Sequence, residues 1–121
     1  MVSESLADLL SFLPRFERGE FSTSSEQYRT TGQYGEAVED MIRAISSSDL
    51  LLQFDWTSWK DAALYSRDPR LVRTADLETV RRLLTTIVRQ DRFVGGLVPR
   101  VCSSGIMKAL LERLAELSHR R

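Results

Sequence analysis

Apolar residues recur at helical spacing in several stretches of the chain, and this pattern predicts amphipathic α-helices. Leucines between positions 6 and 13 share one face of a short helix, which Pro14 should end. A second helix is predicted from Tyr34 to Ile45, with acidic residues on its exposed side. The longest predicted helix runs over residues 77–91, and a last helix follows Gly105.

The segments between these helices are polar or only weakly periodic. Residues 21–33 are polar and rich in Ser, Thr and Gly, which predicts an irregular segment that is briefly extended near residues 21–31. Asp55 is placed to cap a helix that carries Trp56 and Trp59, and residues 97–102 should form a short helical turn. Five to six helices with short connections predict an all-α, single-domain bundle, and no reliable strand pattern is present.

Length and composition restrict the classes of protein that fit these elements. The 121 residues suffice for a single helical domain over residues 1–121, with ordinary fractions of 42% apolar and 28% charged residues. Cys102 is the only cysteine and His119 the only histidine, which argues against a metal site or an internal disulfide. No signal peptide or membrane span is visible, so we expect a bacterial cytoplasmic protein without cofactor, metal or membrane contact.

The formal net charge is zero, but its distribution along the chain is uneven. Residues 1–66 carry 5 basic and 11 acidic side chains, whereas residues 67–100 carry 8 and 4 and residues 101–121 carry 4 and 2. Two interpretations follow: the two halves attract each other within one fold, or the basic half binds a polyanion.

A helical wheel at roughly 100° per residue divides the helix over residues 77–91 into two edges. The predicted core-facing stripe consists of Leu77, Val80, Leu84, Ile87 and Val88. The candidate binding edge consists of Arg81, Arg82, Thr85, Arg89 and Arg92. Asp91 falls within the apolar arc, where a carboxylate needs a partner. We expect Asp91 to accept N–H groups from the Gly95-Gly96 turn or to pair with an arginine, and the alternative is a functional acid.

The run from Leu84 to Leu97, LTTIVRQDRFVGGL, resembles the central motif L-T-T-x-V-R-x-D-R-F-x-x-G of a bacterial family of domains of unknown function. The flanking landmarks that resemble this family are Phe12-Leu13-Pro14, Phe54-Asp55-Trp56 with Trp59, and Ser104-Gly105 with Ile106. The resemblance covers roughly residues 10–117 and implies one family domain with no assigned activity. Gly95 and Leu97 depart from the family pattern, in which an acidic and a polar residue are usual, and this weakens the case for an acid–base centre there.

Two further features have structural interpretations that we prefer to functional ones. Cys102 lies just before a predicted helix, where a thiol pKa can fall, but a free cysteine is ordinarily a small buried apolar residue. Trp56 and Trp59 are three residues apart on one predicted helix face, and we expect them to anchor the core rather than to stack on a nucleic-acid base.

Three functions of different classes are compatible with these observations. We expect a non-catalytic protein-interaction or regulatory module with a protein partner or self-association, because a phosphate-binding loop and a nucleophile–base pair are missing. The first alternative is binding of nucleic acid or a phosphate ligand through the arginine-lined edge, extended by Arg100. The second is an enzyme in which Asp91 moves a proton while Arg89 and Arg92 hold an anionic substrate. No residue is assigned a catalytic role on the sequence alone.

Overall fold

A computed structural model describes residues 4–119 of the chain, with side chains described for residues 5–118. The α-helices are α1 (Glu4–Leu10), α2 (Leu13–Glu17), α3 (Ser24–Thr31), α4 (Glu36–Ser46), α5 (Ala62–Tyr65), α6 (Pro69–Val72), α7 (Leu77–Asp91), α8 (Leu97–Ser104) and α9 (Ile106–His119). A single 3-10 turn, Trp56–Ser58, lies between α4 and α5. No strand occurs between residues 4 and 119, so the predicted all-α class is confirmed.

The prediction of five to six helices was too low, because several connections contain short helices of their own. The first of these is α2, at the position where Pro14 was expected to end a helix. Helix α1 already ends at Leu10, and Pro14 lies in the first turn of α2. Proline is tolerated there because the first-turn N–H groups have no intrahelical partner.

The prediction of an irregular or extended segment over residues 21–31 was wrong for most of that range, because Ser24–Thr31 forms α3. Helix α3 packs against α8. The Ser103 hydroxyl accepts the Ser25 N–H at 3.0 Å and donates to the Phe21 carbonyl oxygen at 3.2 Å. These contacts across the fold stabilise a helix whose polar sequence has little apolar periodicity.

The tryptophan segment also differs from its prediction. Asp55 caps only the 3-10 turn, where its carboxylate accepts the Thr57 N–H at 3.2 Å. Trp59 has an extended backbone, so Trp56 and Trp59 do not share one helix. Tyr34, the first residue of the predicted second helix, lies outside the observed helix, because α4 begins only at Glu36.

The core lies around α7 and α9. Helix α9 packs against α1, α2, α6, α7 and α8. The largest fully buried side chains include Leu9, Phe21, Met41, Ile45, Leu83, Leu84, Met107, Leu110, Leu111 and Leu114. The predicted stripe of α7 is buried except for Leu77, which is 46% exposed at the first position of the helix. Leu83, Thr85 and Thr86 are buried as well, so α7 is enclosed on more sides than an amphipathic surface helix.

Ion pairs in the described range are mostly local in sequence. One pair, Lys108 Nζ to Glu17 Oε1 at 3.4 Å, joins the acidic half of the chain (residues 1–66) to the basic half. Attraction between the halves therefore engages few of the basic side chains of residues 67–119.

Among the described helices, none is long and apolar enough to cross a membrane.

Candidate functional site

The carboxylate of Asp91 fastens the end of α7 to two other parts of the chain. Its Oδ1 accepts the Tyr34 hydroxyl at 2.8 Å and the Val98 N–H at 2.9 Å. The Tyr34 oxygen in turn accepts the Gly96 N–H at 2.9 Å. Asp91 thus holds the first turn of α8 and the segment before α4 against the end of α7. Its backbone partner is the amide of Val98, two residues beyond the Gly95-Gly96 pair.

The Gly95-Gly96 turn is closely covered by an aromatic ring. Gly96 has a φ of +89°, in the left-handed region. A Cβ at Gly96 would lie 2.7 Å from Cε2 of Tyr28, and a Cβ at Gly95 would also collide with the Tyr28 hydroxyl. The Tyr28 and Tyr34 rings are 5.3 Å apart in an edge-to-face arrangement. The two glycines therefore allow α3 to approach the turn.

The environment of Tyr34 stabilises its neutral form. Burial is the main cause that raises the pKa of Tyr34 to about 12, and the hydrogen bond to the Asp91 carboxylate acts in the same direction. The hydroxyl therefore keeps its proton at neutral pH, donates it to Asp91 and accepts the Gly96 N–H. This arrangement stabilises the turn and presents no free base at Tyr34.

Three members of the predicted binding edge instead hold the segment that precedes and contains the 3-10 turn. Arg81 donates from Nε to the Leu50 carbonyl oxygen at 2.8 Å and from Nη2 to that of Asp49 at 3.2 Å. Thr85 was expected on an exposed flank, but it is only 1% exposed. Its hydroxyl donates to the Arg81 carbonyl oxygen and accepts the Leu52 N–H, because the chain after α4 crosses this side of α7.

Arg82 lies beside the aromatic residues of the same segment. It pairs with Glu78 at 3.2 Å, and its guanidinium carbon lies 5.3 Å from the Phe54 ring centroid and 5.9 Å from that of Trp59. Such contacts between a cation and aromatic rings are favourable. The guanidinium of Arg82 therefore already has an acidic partner and two aromatic partners within the chain.

Arg89 and Arg92 occupy the other end of the predicted edge. Arg89 is half-buried and Arg92 is exposed. Within residues 5–118, neither guanidinium forms an ion pair, and no hydrogen bond joins either of them to Asp91. The structure thus separates the predicted cluster into an engaged group at Arg81, Arg82 and Thr85 and two free cations. The expectation of a nucleic-acid or phosphate site at this edge stays a prediction.

An exposed apolar surface follows the last turn of α7, and the helical pattern of the sequence did not predict it. Phe93 is 79% exposed and Val94 is 50% exposed. The Phe93 ring lies 6.2 Å from the ring of the half-buried Trp56. We call these three residues the Phe93 patch. Two adjacent apolar residues directly after a helix end, preceded by arginine, were the available signal in the sequence.

The clefts on the surface of the described residues include one of about 710 Å³ between α3 and α4, which is lined by Tyr28, Tyr34 and Ile42. Two smaller ones of about 350 and 330 Å³ lie beside α5 and α8. Arg89, Asp91 and Arg92 line none of these three clefts. The enzymatic alternative therefore gains no support from their shape.

A family model described as a family of unknown function (DUF6508) matches residues 1–120. The chain belongs to this family. The predicted membership of a family of unknown function is thus confirmed. Neither a curated protein nor a solved structure was found that is similar to the chain.

Several residues of the motif that carried the resemblance hold parts of the fold of this DUF6508 chain together. Thr85 binds the crossing segment, Asp91 fastens the turn, and Gly96 allows the approach of Tyr28. Phe93 differs from these three residues, because most of its side chain faces solvent. Phe93 is therefore an exposed part of a motif whose other members hold the fold together.

The described side chains of the DUF6508 chain include neither a cluster of metal ligands nor an accessible thiol. No group of three or more His, Cys, Asp or Glu side chains there could hold a metal ion. Cys102 is 3% exposed, and burial, helped by the charge of Asp91, raises the pKa of its thiol to about 12. The structure therefore gives Cys102 the environment of an inert buried thiol.

We expect Cys102 in the folded DUF6508 chain to react with a disulfide reagent such as DTNB at pH 8 at least about 100-fold more slowly than in urea, because the thiolate is rare and inaccessible. The measurement is release of the coloured thiolate per chain over time. Since the chain has one cysteine, the urea-unfolded sample gives the full one-thiol signal as the control. Complete labelling of both samples at the same rate would contradict the buried environment.

Proposed function

We propose that this DUF6508 chain is a non-catalytic cytoplasmic module that binds another protein through the Phe93 patch. The observation that carries the proposal is the exposure of Phe93, 79%, beside Val94 and next to the Trp56 ring. Contiguous apolar surface bordered by polar residues is typical of protein interaction sites, and aromatic and arginine side chains are enriched at their centres.

The charges beside the patch indicate the chemistry of the partner. Arg92 precedes Phe93 in the chain, Arg89 lies one turn earlier on α7, and Lys60 follows the 3-10 turn that contains Trp56. None of these three cations forms an ion pair among the described side chains. A partner that supplies apolar side chains flanked by Asp or Glu would pair with them. We therefore propose an acidic apolar segment of a different protein as the occupant.

The proposal is tested by placing the photo-cross-linking amino acid p-benzoylphenylalanine at position 93 in cells of the native host. Leu77 is the matched control position, because it is a 46% exposed apolar residue at the start of α7, whereas Phe93 follows the end of that helix. We expect a cross-linked protein at position 93 that is at least roughly fivefold weaker or missing at position 77. We also expect cross-linking in lysate to decline as salt is added, because the flanking charges are exposed.

The identity of the cross-linked peptide decides the result. A peptide of another protein that contains apolar residues next to Asp or Glu supports the proposal. A cross-link to a second copy of the chain would establish self-association instead and would overturn it. Equal cross-linking at positions 93 and 77 would likewise overturn it, because the Phe93 patch would then have no preference over an unrelated exposed residue.

A further inference from the structure

The cleft of about 350 Å³ lies between the 3-10 turn, α5, α7 and α8, and Trp56 belongs both to its lining and to the Phe93 patch. Its lining is about equally polar and apolar, and the apolar part includes Trp56, Trp59, Leu83, Ile87, Leu97 and Val101. A cleft that combines aromatic and aliphatic walls with convergent polar groups can hold a small molecule.

A buried hydroxyl on the lining of the cleft has no partner. Thr86 is only 5% exposed and lines the cleft, and its Oγ1 forms no hydrogen bond within the described part of the chain. The neighbouring Thr85 hydroxyl, by contrast, makes two hydrogen bonds. The Oγ1 atom has almost no accessible surface, so a ligand atom would reach it only after the Thr86 side chain rotates toward the cleft. Because a buried hydroxyl without a partner is costly, a hydrogen bond formed in this way would stabilise the bound state.

The charged residues of the cleft are all basic. Lys60 and Arg100 belong to its lining, and no Asp or Glu does. The adjoining cleft of about 330 Å³ shares Arg100 and adds Arg67, again without an acidic residue. Among the described residues, none of these three cations has an ion-pair partner. Uncompensated positive charge in the lining of a cleft favours an anion.

We propose that this cleft binds a small organic anion, with a flat apolar body against Trp56 and Trp59 and an anionic head at Arg100 and Lys60. After rotation of its side chain, Thr86 donates to or accepts from a polar atom at the inner end of the ligand. At about 30 Å³ for each water-sized group, this cleft and the adjoining one, which shares Arg100, together have room for on the order of twenty non-hydrogen atoms. The site goes beyond the proposed function and does not depend on it.

The probe for this site is 1-anilinonaphthalene-8-sulfonate, which joins a sulfonate to a flat apolar body and becomes fluorescent in apolar surroundings. Trp56 and Trp59 are the only two tryptophans of the chain, and both line the cleft. Excitation of tryptophan with detection of probe emission therefore reports binding near this cleft. The neutral N-phenyl-1-naphthylamine has a similar body without the sulfonate, and we expect it to bind more weakly.

Two substitutions separate the parts of the site. Arg100→Met removes the charge from an exposed side chain and should weaken probe binding about tenfold, as the loss of a charge-assisted hydrogen bond does. Thr86→Val removes the hydroxyl at constant shape and should weaken binding about threefold without lowering the thermal unfolding temperature, since the chain makes no hydrogen bond to it. Arg29→Met, at an exposed arginine on α3, is the matched control and should leave binding unchanged.

The experiment also distinguishes the kind of anionic head. Competition by 2-naphthoate identifies a carboxylate ligand, and stronger competition by 2-naphthyl phosphate identifies a phosphate ester; either result supports the site. The proposal is overturned if neither competes, if the neutral probe binds as tightly as the sulfonate, or if Arg100→Met or Thr86→Val binds like the unsubstituted protein. Lys60→Met provides a second test of the charge if Arg100→Met does not fold.

Discussion

Replacing Asp91 by alanine should lower the free energy of unfolding by about 3 kcal/mol, although Asp91 lies at the very end of α7. The substitution leaves the Val98 N–H, on a residue that is fully buried, without its acceptor. It also removes the acceptor of the Tyr34 hydroxyl, which itself accepts the Gly96 N–H. The loss therefore affects the turn, the start of α8 and the segment before α4 together. Chemical denaturation followed by circular dichroism measures it.

Asp91→Asn is the matched control for this prediction. Its amide oxygen can still accept the Tyr34 hydroxyl and the Val98 N–H, so we expect a loss of only about 1 kcal/mol, which reflects weaker acceptance by a neutral oxygen. A purely functional Asp91 would give the opposite pattern, with little loss of stability in either variant. Equal stability of Asp91→Ala and the unsubstituted protein would contradict the fastening role.

The sequence predicted the position of Asp91 well but not its partners. The helical wheel placed this carboxylate within the apolar arc of α7 and required a hydrogen-bond partner for it. Tyr34 is 57 residues away in the chain, and no local pattern connects the two. Contacts of this range depend on how the helices pack, which periodicity within one helix does not specify.

The contacts of the arginine edge were likewise not predictable from periodicity within one helix. The wheel placed Arg81, Arg82 and Thr85 correctly along one flank of α7, but an exposed flank was an assumption. The chain after α4 crosses that flank and supplies the Leu50 carbonyl oxygen and the rings of Phe54 and Trp59. Because that segment has almost no regular structure, no periodicity could predict its path.

Helices with strong apolar periodicity were predicted most accurately. Val38, Met41 and Ile45 of α4 are buried as their spacing requires. Helix α3 was missed because its sequence is polar and its stability depends on contacts such as those of Tyr28 with the Gly95-Gly96 turn. The tryptophan segment was predicted as a helix because Trp56 and Trp59 are three residues apart. The same spacing also fits two residues that line a cleft from a non-helical segment, which is what the structure shows.

Replacing Gly96 by alanine should destabilise the fold by about 3 kcal/mol, and we expect this cost to have two separable parts. The backbone part arises because a side chain is unfavourable at a φ of +89°. The steric part arises because the added Cβ would lie 2.7 Å from Cε2 and 2.8 Å from Cδ2 of Tyr28. Relief of that overlap requires the ring to move away from the turn.

Gly105→Ala isolates the backbone part, because Gly105 has a φ of +91° and nothing within 4 Å of an added Cβ. We expect it to cost only about 1.5 kcal/mol. In a Tyr28→Ala background the overlap at position 96 is gone, so Gly96→Ala should cost about as much there as Gly105→Ala does in the unsubstituted protein. If Gly96→Ala costs the same with and without the Tyr28 ring, the ring does not restrict this turn. The glycine would then serve backbone conformation alone, and the close packing of α3 on the turn would have no energetic role.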